Sequence, residues 1–156
     1  MPNSALGNEQ QQNRAVKAGT QDITAGTAGG LAMFWPKLSI LDAGYLFKSY
    51  EHQKKIVNGP IGKELKDEYL KATGIRILGF YYQSARNLTT TDKVVRLPED
   101  LNGVKVRAPD VKMYVEVVKG MGATPVPIPF DELYLALKLG NASGQENPLT
   151  TIYENK

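Results

Sequence analysis

Two arginine side chains are the residues of this sequence best suited to chemistry, and that chemistry is the binding of an anion. Arg107 ends a short predicted strand over 104–107, and Pro109 and Asp110 follow it to open the next predicted helix. Arg86 lies on an extended segment earlier in the chain. Ligands of open α/β sheets bind beyond the carboxyl ends of the strands, and a guanidinium offers a carboxylate two parallel hydrogen bonds. The local sequence around Arg107 is equally typical of an ordinary surface or ion-pairing arginine.

Two further residues could complete a binding site. Asn147 follows the last predicted strand, over 142–145, and its amide can both donate and accept hydrogen bonds. Phe130 lies next to the proline-rich segment 124–129, which is stiff, so it could form the wall of a pocket at low entropic cost. The alternatives are a helix cap before a proline for Asn147 and core packing for Phe130.

The sequence gives little support to catalysis. It contains one histidine, His52 in the first turn of a predicted helix, and no cysteine. It has neither a GxSxG nucleophile motif nor a spaced cluster of metal ligands, so we expect no catalytic residues, no metal site and no cofactor. The glycine-rich segment 26–30 lacks GxGxxG and a P-loop lysine, which favours close backbone packing or the lining of a cleft. An enzyme that uses a pair of carboxylates remains an alternative, although no spacing favours it.

Composition excludes two classes of partner. The 156 residues are 42% hydrophobic and 22% charged, with a net charge of +3. Basic and acidic residues are interspersed, so we expect no nucleic-acid partner. No apolar run approaches the roughly 20 residues of a membrane span, so we expect a chain that is not membrane-embedded. The absence of cysteine fits an exported protein, but the first residues lack a charged and then apolar signal.

The order of predicted elements indicates an α/β fold with mainly parallel sheets. Helices are predicted over 9–18, 50–58 and 60–73, and strands over 22–25 and 75–82. The second of these strands is the strongest, because it is nearly continuous in apolar residues. A segment over 84–91 leads out of this part of the chain, and helix and strand then alternate again. We therefore predict a hinge and a boundary near Thr90, which divides the chain into residues 1–90 and 91–156.

Five blocks in order resemble the substrate-binding subunit of tripartite ATP-independent periplasmic (TRAP) transporters, of the C4-dicarboxylate-binding type. Residues 2–9 (PNSALGNE) are similar to the family's PNSxLGxE, and residues 86–89 (RNLT) to its RxxT. Residues 98–109 are similar to PEDLKGLKIRVP, residues 122–134 to GANPTPMPFSELY, and residues 144–148 to the end of DGQENP. The resemblance spans essentially the whole chain.

The resemblance implies a periplasmic-binding-protein-like fold, in which two lobes with mainly parallel sheets are joined by a hinge and close over a ligand. It implies that Arg107 pairs with the ligand carboxylate, that Arg86 also reaches the ligand, and that Asn147 and Phe130 line the pocket. It further implies that Glu9 and Thr27 lie at positions of the first lobe that vary with substrate. The partners it implies are a small organic acid and the membrane subunits of a TRAP transporter, and the location is the periplasm.

The resemblance also implies an incomplete chain. The family chain is about twice this length and begins with a signal peptide, which is not present here, and with a first strand and a long helix. We therefore expect a fragment that lacks both ends, with unpaired backbone and exposed apolar side chains around Ile23 and Ile75. Such a fragment is expected to be unstable or prone to aggregation by itself. Gln12 and Asn13 also stand where the family is usually apolar.

The function that these observations favour is capture of a small organic acid for a TRAP transporter. The polar stretch 81–86 and the small side chains around Thr27 favour a sugar acid such as a uronate, with a dicarboxylate or a keto acid next. The alternatives of other classes are an α/β enzyme with a carboxylate mechanism and a ligand-sensing module of a signalling system.

Overall fold

The computed structural model describes residues 5–155, which divide into two compact units with the boundary in the chain between Tyr82 and Gln83. Pro2, Asn3 and Ser4, which begin the first family-like block, lie outside the described residues. The boundary predicted near Thr90 concerns the lobes of a complete binding protein, and it stays a prediction. Within the described part of the chain, no helix is both long enough and apolar enough to cross a membrane.

The first unit is built from helices whose ends are set by local side chains. It contains α1 (Glu9–Ala18), the short α2 (Ala28–Leu31), a 3₁₀ helix (Pro36–Asp42), α3 (Tyr50–Asn58) and α4 (Pro60–Thr73). Asn8 caps α1 by accepting a hydrogen bond from the Gln11 amide, and Ser49 caps α3 in the same way through the His52 amide. Gly19 ends α1 in the left-handed conformation that glycine adopts without strain. The predicted bounds of α1, α3 and α4 are therefore confirmed.

Tyr69 of α4 is at the centre of the first unit's core. Its side chain is fully buried, its ring packs edge-to-face on Trp35 with centroids 6.2 Å apart, and its hydroxyl donates to the Leu31 carbonyl at 3.2 Å. Leu38 and Val57 are buried in the same cluster. The phenol thus joins α4 to α2 through both apolar contact and a hydrogen bond.

The stability of the first unit is expected to fall at high pH because of Tyr69. Burial raises the pKa of this phenol from 10.0 to about 12, since a phenolate there would lose its hydration. Above pH 10 the unfolded chain releases the proton while the folded chain retains it, so stability is lost as the pH rises towards 12. Thermal unfolding between pH 9 and about 12, compared with Tyr69→Phe, tests this. An equally steep decline in the variant would assign the effect to other groups.

The contact between α3 and α4 depends on Gly62. A Cβ atom at this position would lie 1.9 Å from the Val57 carbonyl oxygen and 2.3 Å from the Val57 carbonyl carbon, which are backbone atoms of α3. We expect Gly62→Ala to destabilise the first unit by about 2 kcal/mol, because the helices must separate. Gly79→Ala is the control, since no atom lies within 4 Å of a Cβ there. Equal melting temperatures for both variants in a thermal scan would contradict this account.

The strands predicted over 22–25 and 75–82 are not formed, so the only sheet of the described residues lies in the second unit. Both segments are irregular, and Ile23 and Leu78 are 63% and 72% exposed. Ile75 and Ile77 still pack on the core of the first unit. A strand needs a partner for its backbone groups, and no described residue pairs with either segment. Of the apolar side chains expected to be exposed around Ile23 and Ile75, Ile23 and Leu78 are exposed, whereas Ile75 itself packs on the core.

The second unit contains a four-stranded mixed sheet in the order β1-β4-β2-β3. Its strands are β1 (Arg86–Thr90), β2 (Lys105–Ala108), β3 (Thr124–Pro127) and β4 (Gly144–Pro148). β2 is parallel to both of its neighbours, whereas β1 runs antiparallel to β4. The helices are α5 (Lys112–Gly120), α6 (Leu133–Lys138) and α7 (Leu149–Glu154), with 3₁₀ helices at Pro98–Leu101 and Phe130–Glu132.

α5 covers one face of this sheet. Val106 and Ala108 of β2 are fully buried against Tyr114 and Val118 of α5. Two predicted bounds are wrong: α5 begins at Lys112 rather than at Pro109, and β4 extends to Pro148 rather than ending at 145. Asn147 therefore lies on a strand and not after one.

Candidate functional site

Arg107 is the most deeply buried charged side chain among the described residues, at 2% exposure. It lies on the central strand β2, directly beside Val126 of β3 and Gln145 of β4. Since side chains alternate along a strand, and Val106 and Ala108 face α5, Arg107 points to the opposite face. Its Nε donates to the Ile128 carbonyl at 2.8 Å, so the guanidinium is fixed in orientation.

Phe130 flanks this arginine. The Arg107 guanidinium carbon lies 5.8 Å from the centre of the Phe130 ring, within the range of a cation–π contact. The ring is 43% exposed, so Phe130 is not a core residue. The structure thus brings together two of the predicted site residues, one charged and one apolar.

Arg86 is held by a carboxylate that the sequence analysis did not identify. Its Nε and Nη2 donate to the two carboxylate oxygens of Glu146, and Nη2 also donates to the Glu146 carbonyl at 2.7 Å. The guanidinium lies 4.9 Å from the ring centre of Tyr114. Because the Glu146 side chain is 8% exposed, this is a largely buried, bidentate pair in which the charge of Arg86 is compensated.

A row of amide side chains connects Arg86 to the face that carries Arg107. Arg86 Nη2 donates to Asn147 Oδ1 at 2.9 Å, Asn147 Nδ2 donates to Gln145 Oε1 at 2.6 Å, and Gln145 Nε2 donates to Thr89 Oγ1 at 3.1 Å. Asn147 does not cap α7, contrary to the alternative considered from sequence. Fully hydrogen-bonded buried networks of this kind hold their members in one geometry.

Glu9 and Thr27, the predicted site residues of the first unit, contact each other. Glu9 Oε1 accepts hydrogen bonds from the Thr27 amide at 2.5 Å and from the Thr27 hydroxyl at 2.8 Å. The same hydroxyl accepts from the Gly30 amide at 2.9 Å. A Cβ atom at Gly30 would lie 2.2 Å from Glu9 Oε1, so the glycine makes room for the carboxylate.

The glycine-rich segment has its amides occupied by the chain's own acceptors. Besides the Thr27 and Gly30 amides, that of Gly29 donates to Asp42 Oδ2 at 2.6 Å. Amides engaged in this way do not form a phosphate cradle. Of the two alternatives considered from sequence, close backbone packing and the lining of a cleft, the close approach of the Glu9 carboxylate to Gly26 and Gly30 agrees with close packing. No group of metal-ligating side chains is found among residues 5–155.

Three residues of these clusters were missed by the sequence analysis. Glu146 and Gln145 belong to a recognised block, but their contacts depend on the antiparallel pairing of β1 with β4. Asp42 lies in a 3₁₀ helix with no local pattern that points to Gly29. Finding Glu146 and Gln145 from the sequence would have required knowledge of which distant strands pair.

The second unit is therefore an α/β unit with one buried and one partly buried arginine, amides and an aromatic ring at neighbouring strands, as expected of a protein that binds a small anion. The whole chain, residues 1–156, matches the family model described as bacterial extracellular solute-binding protein, family 7. The chain belongs to this family, whose members are solute-binding proteins and not enzymes.

Known proteins of this family match nearly the whole length of this chain. A solute-binding protein of Roseobacter denitrificans is 35% identical over 151 residues, which are 97% of this chain and 46% of that protein. Its solved structure with bound L-galactonate has a TM-score of 0.90 and 34% identity, and covers 98% of this chain and 50% of that one.

Two other solved TRAP periplasmic solute-binding proteins have similar scores. The one from Polaromonas sp. JS666, bound to D-erythronate, has a TM-score of 0.92 and 35% identity, covering 98% of this chain and 50% of its own. The one from Sulfurospirillum deleyianum, with bound succinate, has a TM-score of 0.91 and 30% identity, covering 98% of this chain and 49% of its own. The chain thus spans about half the length of the relatives that it matches.

Proposed function

We propose that this chain is part of a periplasmic binding protein that captures a small organic acid and delivers it to the membrane subunits of a TRAP transporter. The observation that carries the proposal is Arg107, a buried guanidinium fixed on the central strand of an α/β sheet. A planar guanidinium held in one orientation matches the geometry of a carboxylate, which accepts two parallel hydrogen bonds from it.

The other site residues receive roles that follow from their contacts. Arg86, whose charge Glu146 compensates, donates hydrogen bonds to the ligand without requiring a second negative charge. Asn147 supports Arg86 and offers its amide, and Phe130 covers the apolar side of the ligand next to Arg107. Glu9 and Thr27, which are hydrogen-bonded to each other, take the role that the family resemblance gives them, as positions that vary with the substrate.

A sugar acid is the ligand class that we favour, with a dicarboxylate or keto acid next. Solved relatives bind L-galactonate and D-erythronate, and one binds succinate. The hydroxyl-rich acids suit the amides and hydroxyls around Arg86, because each hydroxyl both donates and accepts hydrogen bonds.

Titration calorimetry on the protein expressed from its complete reading frame tests the proposal. We expect saturable, stoichiometric binding of galactonate, galacturonate or succinate, no binding of the methyl ester of the same acid, and recovery of the acid unchanged. Equal affinity for the acid and its ester would remove the role of Arg107, and formation of a product would favour an enzyme.

Delivery and location are tested in cells. We expect the protein in the periplasmic fraction, and uptake of the labelled acid only when the protein and the TRAP membrane subunits are produced together. Uptake that is the same without the protein would contradict the transport role.

A further inference from the structure

Four polar side chains of the second unit form a series of hydrogen bonds that can run in one direction only. The series begins at Arg86, whose guanidinium donates but cannot accept, and whose Nη2 donates to Asn147 Oδ1 at 2.9 Å. The Asn147 amide therefore turns its Nδ2 away from Arg86, and Nδ2 donates to Gln145 Oε1 at 2.6 Å. Gln145 Nε2 in turn donates to Thr89 Oγ1 at 3.1 Å. We call these four residues the amide relay, and the guanidinium decides which end of each amide is the donor.

The sheet places the amide relay on the face that carries Arg107. Gln145 of β4 is the register partner of Thr89 in β1 and of Arg107 in β2, so these three residues form a row across the sheet. Residues paired in this way have side chains on the same face. Asn147 lies two residues after Gln145 on the same strand, so it points to that face as well. Both amides thus lie beside the buried guanidinium of Arg107.

The amide relay holds the Asn147 amide at two points. Its oxygen is fixed by Arg86 and its nitrogen by Gln145, and both amides are only 5% exposed. A single hydrogen bond would let the amide pivot, whereas bonds at both ends fix its plane. An amide nitrogen carries two N–H groups, so Gln145 sets the direction of the second N–H of Asn147. Thr89 restrains Gln145 in the same manner, at the far end of the relay.

We propose that Gln145 and Thr89 are positioning residues of the binding site, which hold the Asn147 amide so that its second N–H group is directed at an acceptor oxygen of the ligand. This rests on the proposed function, in which Asn147 offers its amide to the bound acid. Neither Gln145 nor Thr89 has to contact the ligand, because each acts through the next member of the amide relay. The ligand group concerned is an acceptor, since every member of the relay passes on a donor.

A double-mutant cycle on the protein expressed from its complete reading frame tests this role. Titration calorimetry measures the affinity for whichever of galactonate, galacturonate and succinate the parent protein binds most tightly. Gln145→Met keeps the length of the side chain but removes both amide bonds, so we expect a loss of affinity of about 10-fold. In the background of Asn147→Ala the same substitution should change affinity by less than about twofold, because no amide is left to position. Equal losses in the two backgrounds would overturn the proposal.

The hydroxyl at the end of the amide relay has a matched control on the same strand. Thr89→Val is expected to lower affinity by about 3-fold, and Thr89→Ser should restore it, since serine keeps the acceptor oxygen. Thr90→Val is the control, because the Thr90 hydroxyl donates to the Lys93 carbonyl and belongs to no part of the relay. It should leave affinity unchanged. An equal loss for Thr90→Val and Thr89→Val would assign the effect to the strand as a whole and contradict the proposal.

Side-chain amide signals in NMR spectra of the isotopically labelled protein give a second measurement, which needs no ligand. We expect Thr89→Val to shift the Asn147 Nδ2 signal as well as that of Gln145 Nε2, although Thr89 is bonded only to the latter. An unchanged Asn147 signal would show that the amides are not coupled and would overturn the proposal. If the parent protein binds none of the acids, the proposed function fails and the positioning role with it. Binding that Gln145→Met leaves unchanged defeats the positioning role alone.

Discussion

Arg107→Ala is expected to lower the affinity for every organic acid that the protein binds, by about 100-fold or more. The reason is that removing one partner of a buried ion pair costs about 3–5 kcal/mol, and Arg107 is 2% exposed in the structure. The variant also leaves the Ile128 carbonyl without its donor, so a loss of stability of about 1–3 kcal/mol is expected beside it. Titration calorimetry at a temperature well below the thermal unfolding transition of the variant measures the loss of affinity.

Two further variants separate charge from geometry at this position. Arg107→Lys keeps the charge but cannot form two parallel hydrogen bonds, so we expect an intermediate affinity. Arg96→Ala removes an exposed arginine of the same unit and should leave affinity unchanged. Retained affinity in Arg107→Ala, with a folded protein by circular dichroism, would show that the ligand carboxylate binds elsewhere.

Glu146→Ala is expected to destabilise the second unit by about 3 kcal/mol. The substitution removes a bidentate carboxylate from Arg86 and leaves a guanidinium that is mostly buried, with a side-chain exposure of 24%. The expected value is at the low end of about 3–5 kcal/mol for a broken buried pair, because Arg86 retains Asn147 and some contact with solvent. Chemical denaturation followed by circular dichroism measures the change.

The matched control for Glu146 is an exposed ion pair in the same unit. Glu116 and Lys119 are 52% and 54% exposed and lie three residues apart on α5. Glu116→Ala should change stability by no more than about 0.5 kcal/mol, as exposed pairs on helices generally do. A similar small change for Glu146→Ala would mean that the buried pair with Arg86 contributes little to the fold.

Helices were predicted well because their signals are local. The caps Asn8 and Ser49 and the terminal Gly19 lie within one turn of the groups that they satisfy, so α1 and α3 could be placed to the residue. The family-like blocks and the lack of cysteine were equally available from the order of the residues.

Strands and contacts between distant residues were predicted less well than helices. The segment 75–82 has the composition of a buried strand, but a strand forms only where another segment offers its backbone groups, and none of the described residues does so. The pairing of Arg86 with Glu146 likewise depends on β1 lying antiparallel to β4, since the two residues are 60 positions apart in the chain.

The sequence by itself determined the bounds of α1, α3 and α4, the membership of a solute-binding family and the two arginines that the sheet carries. Only the tertiary structure decided that Glu146 holds Arg86, that two glycines admit the carboxylate of Glu9, and that Asn13 is buried without a partner. The physical reason is that a helix satisfies its own backbone within four residues, whereas burial and ion pairing are properties of segments that meet only after the chain has folded.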